Sequence, residues 1–273
     1  MSSSLTHQIA VLGAGKIGEA LLGGLLRSGR APADVRVTVR RPEHAAALRE
    51  RHGVEAVSTA EAAKTAGILI LAVKPQDMDA LLRELAPHLP PDRLVVSAAA
   101  GVTTAFIEAR LPEGTAVVRV MPNTPALVDE GMSVISGGSL ATETHLTWTE
   151  EIFGAVGSTL RLPEYQQDAA TALSGSGPAY FYYLVEAMTD AGILLGLPRD
   201  KAHDLIVQAA VGAAVMLRDS GEHPVALRAA VTSPAGTTAS ALRELENHGV
   251  RAAVIAAIEA ARDRSRALGG GTA

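Results

Sequence analysis

The chain has 273 residues, 48% of them apolar and only 3% aromatic, with a formal net charge of -5. The absence of cysteine excludes disulfides, thiolate nucleophiles and cysteine-ligated metal centres, and the eight scattered histidines have no metal-binding spacing, so no metal is expected. There is no basic run to suggest a nucleic-acid face. Residues 1–7 lack the layout of a secretion signal, and the most apolar stretch, 206–217, is shorter than the about 20 residues of a membrane span, so a cytoplasmic protein is expected.

Short apolar runs at 9–12, 35–39, 68–73, 94–98 and 117–121 read as strands, with a weaker one at 55–57. Helical patterns lie between them, among them 19–28, 42–52, 76–86 and 103–109. Continuous apolar strands alternating with helices predict a doubly wound, mostly parallel sheet covered on both faces. Two further strands, at 133–136 and 159–162, are expected to close this half.

Directly after the first strand comes Gly13-Ala14-Gly15-Lys16-Ile17-Gly18, opening a helix. In that setting the pattern is the dinucleotide fingerprint. The first glycine permits a tight turn, the second lets the backbone approach a pyrophosphate, and the third lets helix and strand pack closely. The helix amino end then offers free N–H groups to phosphate. At the end of the second strand an NAD-binding chain usually has an acid for the ribose hydroxyls. This chain instead has Arg40 and Arg41, whose planar guanidiniums suit a 2′-phosphate. NADPH is therefore the expected cofactor, with NADH possible and Arg40 favoured as the contact.

Beyond residue 163 strands give way to helices at 165–195, 199–220, 224–230, 238–247 and 251–268, ending in an expected frayed tail over 269–273. Several of these helices, including the Tyr180–Tyr183 cluster and 209–217, are apolar around most of their circumference, which predicts burial. A helical half of this size cannot bury them alone, so a homodimer through that half is expected. The domain division is thus 1–163, an N-terminal Rossmann dinucleotide-binding domain, and 164–273, an all-α substrate and dimerisation domain. Ser233-Pro234 stops a helix, Ala235-Gly236 turns, and Thr237-Thr238 begins the next helix. The N–H groups of such a start can hold a carboxylate, although a threonine there can equally serve as an N-cap.

Four segments, Ala72-Val73-Lys74-Pro75-Gln76, Arg119-Val120-Met121-Pro122-Asn123-Thr124-Pro125, Leu173-Ser174-Gly175-Ser176-Gly177-Pro178-Ala179-Tyr180 and Val231-Thr232-Ser233-Pro234-Ala235-Gly236-Thr237-Thr238, occur in an order and spacing that resembles the pyrroline-5-carboxylate reductase family, over residues 8 to 268. The resemblance implies reduction of 1-pyrroline-5-carboxylate to L-proline by NAD(P)H, the last step of proline biosynthesis. It also implies dimers, which can assemble into larger rings such as a decamer, and an active site between one subunit's cofactor domain and the dimer's helical domain. Carried over to this sequence, it places Ala72, Val73, Lys74 and Pro75 along the cofactor, residues 98–101 including Ala99 near the nicotinamide ribose, and Asn123 facing the nicotinamide. Ser233, Gly236, Thr237 and Thr238 would meet the substrate carboxylate. Thr238 is the candidate proton donor or orienter, and Glu164 matches a position near the ring nitrogen. Ser174 and Ser176 can be site residues or helix caps.

Four positions depart from the family pattern. Ala230 stands for a usual asparagine that contacts the cofactor ribose, Ala235 for a usual glycine, Asp129 for a common glycine and Thr59 for an asparagine. If the backbone at Ala235 needs a positive φ, alanine carries strain. Two alternatives stay open: an NADPH-dependent reductase of another cyclic imine or small acid, and a non-catalytic NADPH-binding regulatory protein. The only lysine of the helical half, Lys201, is expected to be solvated, which counts against a dehydrogenase that relies on a lysine there.

Overall fold

The computed structural model describes residues 8–270; the expectation for residues 1–7 lies outside them. β1 (Ile9–Leu12) leads through the glycine turn into α1 (Lys16–Arg27). β2 (Val35–Thr38) is followed by α2 (Pro42–His52), which has proline in its first turn and ends on Gly53 in the left-handed conformation, both favoured helix boundaries. β3 (Glu55–Ala56) precedes α3 (Thr59–Thr65), where the Ser58 hydroxyl accepts the Glu61 N–H as N-cap. β4 (Ile68–Leu71) precedes α4 (Met78–Leu85), and β5 (Leu94–Ser97) precedes α5 (Thr104–Glu108). β6 (Ala116–Met121), β7 (Gly131–Gly137), α6 (Glu143–Gly154) and β8 (Gly157–Arg161) complete the sheet.

The eight strands lie in the order β3-β2-β1-β4-β5-β6-β7-β8. β1 to β6 are parallel, β7 runs antiparallel to β6, and β8 runs parallel to β7. The predicted doubly wound, mostly parallel sheet is therefore present. Every residue of β1 and β4 is fully buried. Ile9, Val11, Ile68 and Ile70 belong to one apolar cluster, and Ala10, Leu12, Leu69 and Leu71 to another. The two-residue alternation of a strand thus divides the core between the two faces of the sheet.

The remaining helices are α7 (Gln167–Ala170), α8 (Gly177–Leu194), α9 (Arg199–Asp219), α10 (Pro224–Ala230), α11 (Thr237–Asn247) and α12 (Val250–Gly270). The helix expected over 165–195 is interrupted by a π-helical stretch, Thr171–Gly175, between α7 and α8. Pro178 explains the break, because it has no N–H to donate to the Ser174 carbonyl four residues earlier. That carbonyl instead accepts a hydrogen bond from Asn123 Nδ2 at 3.0 Å. The frayed tail is not seen at Gly269 and Gly270, which continue α12; 271–273 lie outside the described residues.

By internal contacts the chain forms two compact units. One runs to Ser176 and regains the chain from Ala261 on; the other is Gly177–Ala260. In the second unit α8 and α9 pack on each other and leave Phe181, Tyr182, Tyr183, Leu194 and Leu195 exposed. The burial predicted for these helices is therefore not achieved within one chain.

Candidate active-site elements

The glycine turn lies at the carboxyl end of β1. Gly13 has φ 95°, and its N–H donates to the Thr38 carbonyl at the end of β2 at 3.1 Å. A Cβ at Gly13 would lie 2.8 Å from Val73 Cγ1 and 3.0 Å from the Ala72 carbonyl, so the turn is pressed against the segment after β4. A Cβ at Gly18 would come within 2.4 Å of the Gly13 oxygen, which explains the third glycine as a packing requirement. At Gly15 a Cβ would meet nothing within 4 Å. Gly15 is also the N-cap of α1, with no side chain capping it. The start of α1 thus has open space beside Gly15 and no side chain capping it, an arrangement suited to a pyrophosphate. Ala14 is buried, Lys16 exposed and Ile17 half-buried.

After β4, Ala72 and Val73 are half-buried while Lys74 and Pro75 are exposed. The Lys74 carbonyl accepts the Asp77 N–H at 2.9 Å, closing a short 3-10 turn, Pro75–Asp77. Arg40 and Arg41 are both exposed at the end of β2. Arg40 reaches Asp77 Oδ1 at 3.2 Å, so the ends of β2 and β4 carry a cation and an anion facing each other. Arg41 is 3.8 Å from Glu43. After β5, Ala99 is buried, and its N–H donates to Ser97 Oγ at 3.4 Å.

Asn123 follows β6. Its Oδ1 accepts the Met132 N–H at 2.8 Å while its Nδ2 serves Ser174, so its amide joins the β6–β7 connection to the π-helical stretch. Ser174 Oγ donates to the Ala170 carbonyl, and the Ser176 N–H donates to the Thr171 carbonyl. Both serines are used within the helix-to-helix join. Glu164 is half-buried. Its two carboxylate oxygens accept from the Thr104 N–H at 2.8 Å and the Thr104 hydroxyl at 2.6 Å, and Arg119 Nη1 lies 3.3 Å away. Thr104, Arg119 and Asp77 were not singled out from sequence as site residues. Arg119 carried a visible signal, a charge inside the otherwise apolar run Val117–Met121; a charged residue in a buried strand needs a partner.

In the helical unit α11 has Gly236 as its N-cap with no side-chain cap. Thr237 and Thr238 occupy its first two positions rather than capping it, with Thr237 exposed and Thr238 half-buried. The Gly236 N–H donates to the Ser233 carbonyl at 3.0 Å, and a Cβ at Gly236 would lie 2.4 Å from Ser233 Oγ. The turn therefore brings Ser233 and the free N–H groups of α11 together. Ala235, within it, has φ 56°, the positive value that the missing glycine would adopt without strain. Lys201 is exposed beside Asp200 and Asp204, and no metal-holding cluster occurs among the described residues.

A parallel sheet with an uncapped, glycine-led helix beyond its first strand defines the dinucleotide-binding α/β class. Residues 8–101 match the family model described as NADP oxidoreductase, coenzyme F420-dependent, and residues 164–268 match that of pyrroline-5-carboxylate reductase dimerisation. The chain is 44% identical over 284 residues to the pyrroline-5-carboxylate reductase of Mycobacterium tuberculosis, covering 96% of each chain. It is 40% identical over 266 residues to that of Escherichia coli, covering 97% of this chain and 99% of that one. Among solved structures it is similar to a pyrroline-5-carboxylate reductase from Coxiella burnetii, with TM-score 0.92, 35% identity and coverage of 96% and 98%. It is also similar to a Plasmodium falciparum pyrroline carboxylate reductase with NADP bound, with TM-score 0.86, 29% identity and coverage of 97% and 98%. The chain belongs to the pyrroline-5-carboxylate reductase family. None of its described helices is long and apolar enough to cross a membrane.

Proposed function

We propose that this chain reduces 1-pyrroline-5-carboxylate to L-proline with NAD(P)H, preferring NADPH, as the last step of proline biosynthesis. One observation carries the reading: the likeness to reductases of that name runs over 96% of both chains, so it takes in the glycine turn and the helical half alike. The open N–H groups behind Gly15 suit the pyrophosphate. Arg40, with Arg41 beside it, suits the 2′-phosphate; its remaining donors can bind phosphate while one holds Asp77. Ala72, Val73, Lys74, Pro75, Ala99 and Asn123 are the further cofactor contacts. When bound, the reduced nicotinamide supplies a hydride to the imine carbon.

The chain's own residues supply binding and alignment, since placing two reactants together removes much of the barrier. The N–H groups at the start of α11, with Ser233 and Gly236, hold the substrate carboxylate. Thr237 and Thr238 stand at the same turn, and the Thr238 hydroxyl settles the proton on the ring nitrogen. A protonated imine is already a good electrophile, so no strong base is required. The enzyme works as a cytoplasmic homodimer through its helical domain, residues 164–273, with residues 1–163 as the cofactor domain.

The test is consumption of NADPH on adding 1-pyrroline-5-carboxylate, with the product identified and NADH run in parallel. Turnover to L-proline is expected; tight NADPH binding without turnover overturns the reading. Arg40→Asp is expected to lower kcat/KM for NADPH by about 10- to 100-fold, the cost of a charge-assisted contact, and to affect NADH far less. Equal losses for the two cofactors would refute the phosphate contact.

A further inference from the structure

We infer that Glu164 is a positioning residue: it fixes the segment after β5, residues 98–103, through Thr104 and Arg119, and so sets the nicotinamide half of the dinucleotide site. The inference rests on the dinucleotide reading proposed above. The segment leaves the carboxyl end of β5, where ligands lie in open α/β sheets. It contains Gly101 at φ 74° and ends at Thr103, whose hydroxyl caps α5 by accepting the Phe106 N–H at 3.2 Å. α5 has only five residues, too short to hold its own position.

Glu164 supplies what the helix lacks. It takes both the N–H and the hydroxyl of Thr104, the first residue of α5. Its Oε1 also faces Arg119, whose side chain is only 5% exposed. Arg119 is anchored in β6, where it stands in register with Ser97 of β5 and Ser136 of β7. Its Nη2 has no hydrogen-bond partner among the described residues, and Glu164 is its one anionic partner there. A buried cation of this kind holds its carboxylate firmly, because losing the partner would leave the charge uncompensated. The chain of contacts therefore runs from the sheet, through Arg119 and Glu164, to Thr104 and the segment before it. With its oxygens engaged in this way, Glu164 acts on the reaction through the segment rather than on the substrate nitrogen.

Glu164→Gln and Thr104→Val test this in the full-length enzyme. The first presents an amide where three donors converge; the second removes one hydroxyl and leaves the backbone N–H. Three quantities are read: Kd for NADPH, Kd for 2′-AMP as a probe of the adenosine half, and the pH profile of kcat. Both variants are expected to raise Kd for NADPH, Glu164→Gln by about tenfold as for a charge-assisted contact and Thr104→Val by less. Kd for 2′-AMP and the pH profile should stay in place. The double variant should be no worse than Glu164→Gln alone, the non-additivity of one network.

A shifted or lost limb of the pH profile with NADPH affinity unchanged would overturn the inference and put Glu164 on the substrate. Equal weakening of NADPH and 2′-AMP would overturn it in favour of general loosening of the fold. If Glu164→Gln does not fold, unchanged NADPH affinity in Thr104→Val is enough to overturn it. Failure of the wild-type enzyme to bind either nucleotide would instead sink the dinucleotide reading itself.

Discussion

Ala235 and Asp129 are the two non-glycine residues at positive φ among those described, at 56° and 61°. Both are positions where the resemblance read from the sequence leads one to expect glycine. They differ in what the side chain gives back. Asp129 is one of the few residue types that tolerates the left-handed region, and its carboxylate binds Arg27 in two places, at 3.2 Å and 2.5 Å. Ala235 has no polar atom to repay its crowding. Ala235→Gly is therefore expected to stabilise the protein by about 0.5–1 kcal/mol, the relief of left-handed strain less the entropy that glycine adds to the unfolded chain. Asp129→Gly should give no such gain. Urea unfolding of the two variants, compared at equal protein concentration, would decide. A destabilised Ala235→Gly would mean that the turn before α11 is held by something other than the strain of one residue.

Among the elements, α6 carries a cap whose acceptor is an imidazole held below its ordinary value by burial. Thr142 accepts the His145 N–H, and His145 Nδ1 accepts the Thr142 N–H at 3.2 Å in return, a reciprocal capping box. Burial holds the imidazole below its ordinary value of 6.5, and protonation would remove the acceptor. The unfolded chain therefore takes up this proton before the folded chain does. Stability linked to His145 is complete above the unfolded value and is lost as pH falls through 6.5 and below. A scan of Tm from pH 8 to 5 should fall more steeply for the wild-type chain than for His145→Gln, which keeps an acceptor that does not titrate.

Neither α6 nor its cap was anticipated from sequence, whereas all eight strands were placed to within two residues at either end. β1, β4 and most of β5 were legible as continuous apolar runs, and most of the others as short stretches rich in β-branched residues between turn signals. α6 mixes Thr142, Glu143, His145 and Trp148 without a sustained stripe, and its boundary is set by a side chain. The predicted helix over 165–195 failed for another reason: its periodicity continues through Pro178, and the break is stabilised by Asn123, 51 residues away.

For the whole molecule, the order of strands and helices and the glycine turn could be read along the chain, because each is a local pattern. The links that arrange the candidate site could not. Arg40 with Asp77 and Glu164 with Thr104 and Arg119 join segments distant in sequence that meet only in the folded sheet, across strands that are not themselves adjacent. The exposed aromatic and leucine side chains of α8 and α9 belong to a stretch whose family model is a dimerisation model, so the apolar excess noticed in the sequence needs a surface beyond a single chain.

The end of α12 has a consequence for how the protein is made. From Ala261 on, the chain rejoins the sheet-bearing unit. There Ser265 donates to Asp168 at 2.7 Å, and Gly269 sits close enough to Gly101 that a Cβ on it would lie 3.1 Å from the Gly101 oxygen. A growing polypeptide can form the sheet early, yet that unit stays open at Gly101 until α12 has emerged, since domains fold as their residues emerge. Removal of residues 265–273 should cost about 1–3 kcal/mol for the lost buried contact and speed hydrogen exchange around Gly101, leaving the β1–β4 core protected. The sheet-bearing unit is thus assembled from two separated stretches of chain, and its side at Gly101 closes only once α12 has joined it.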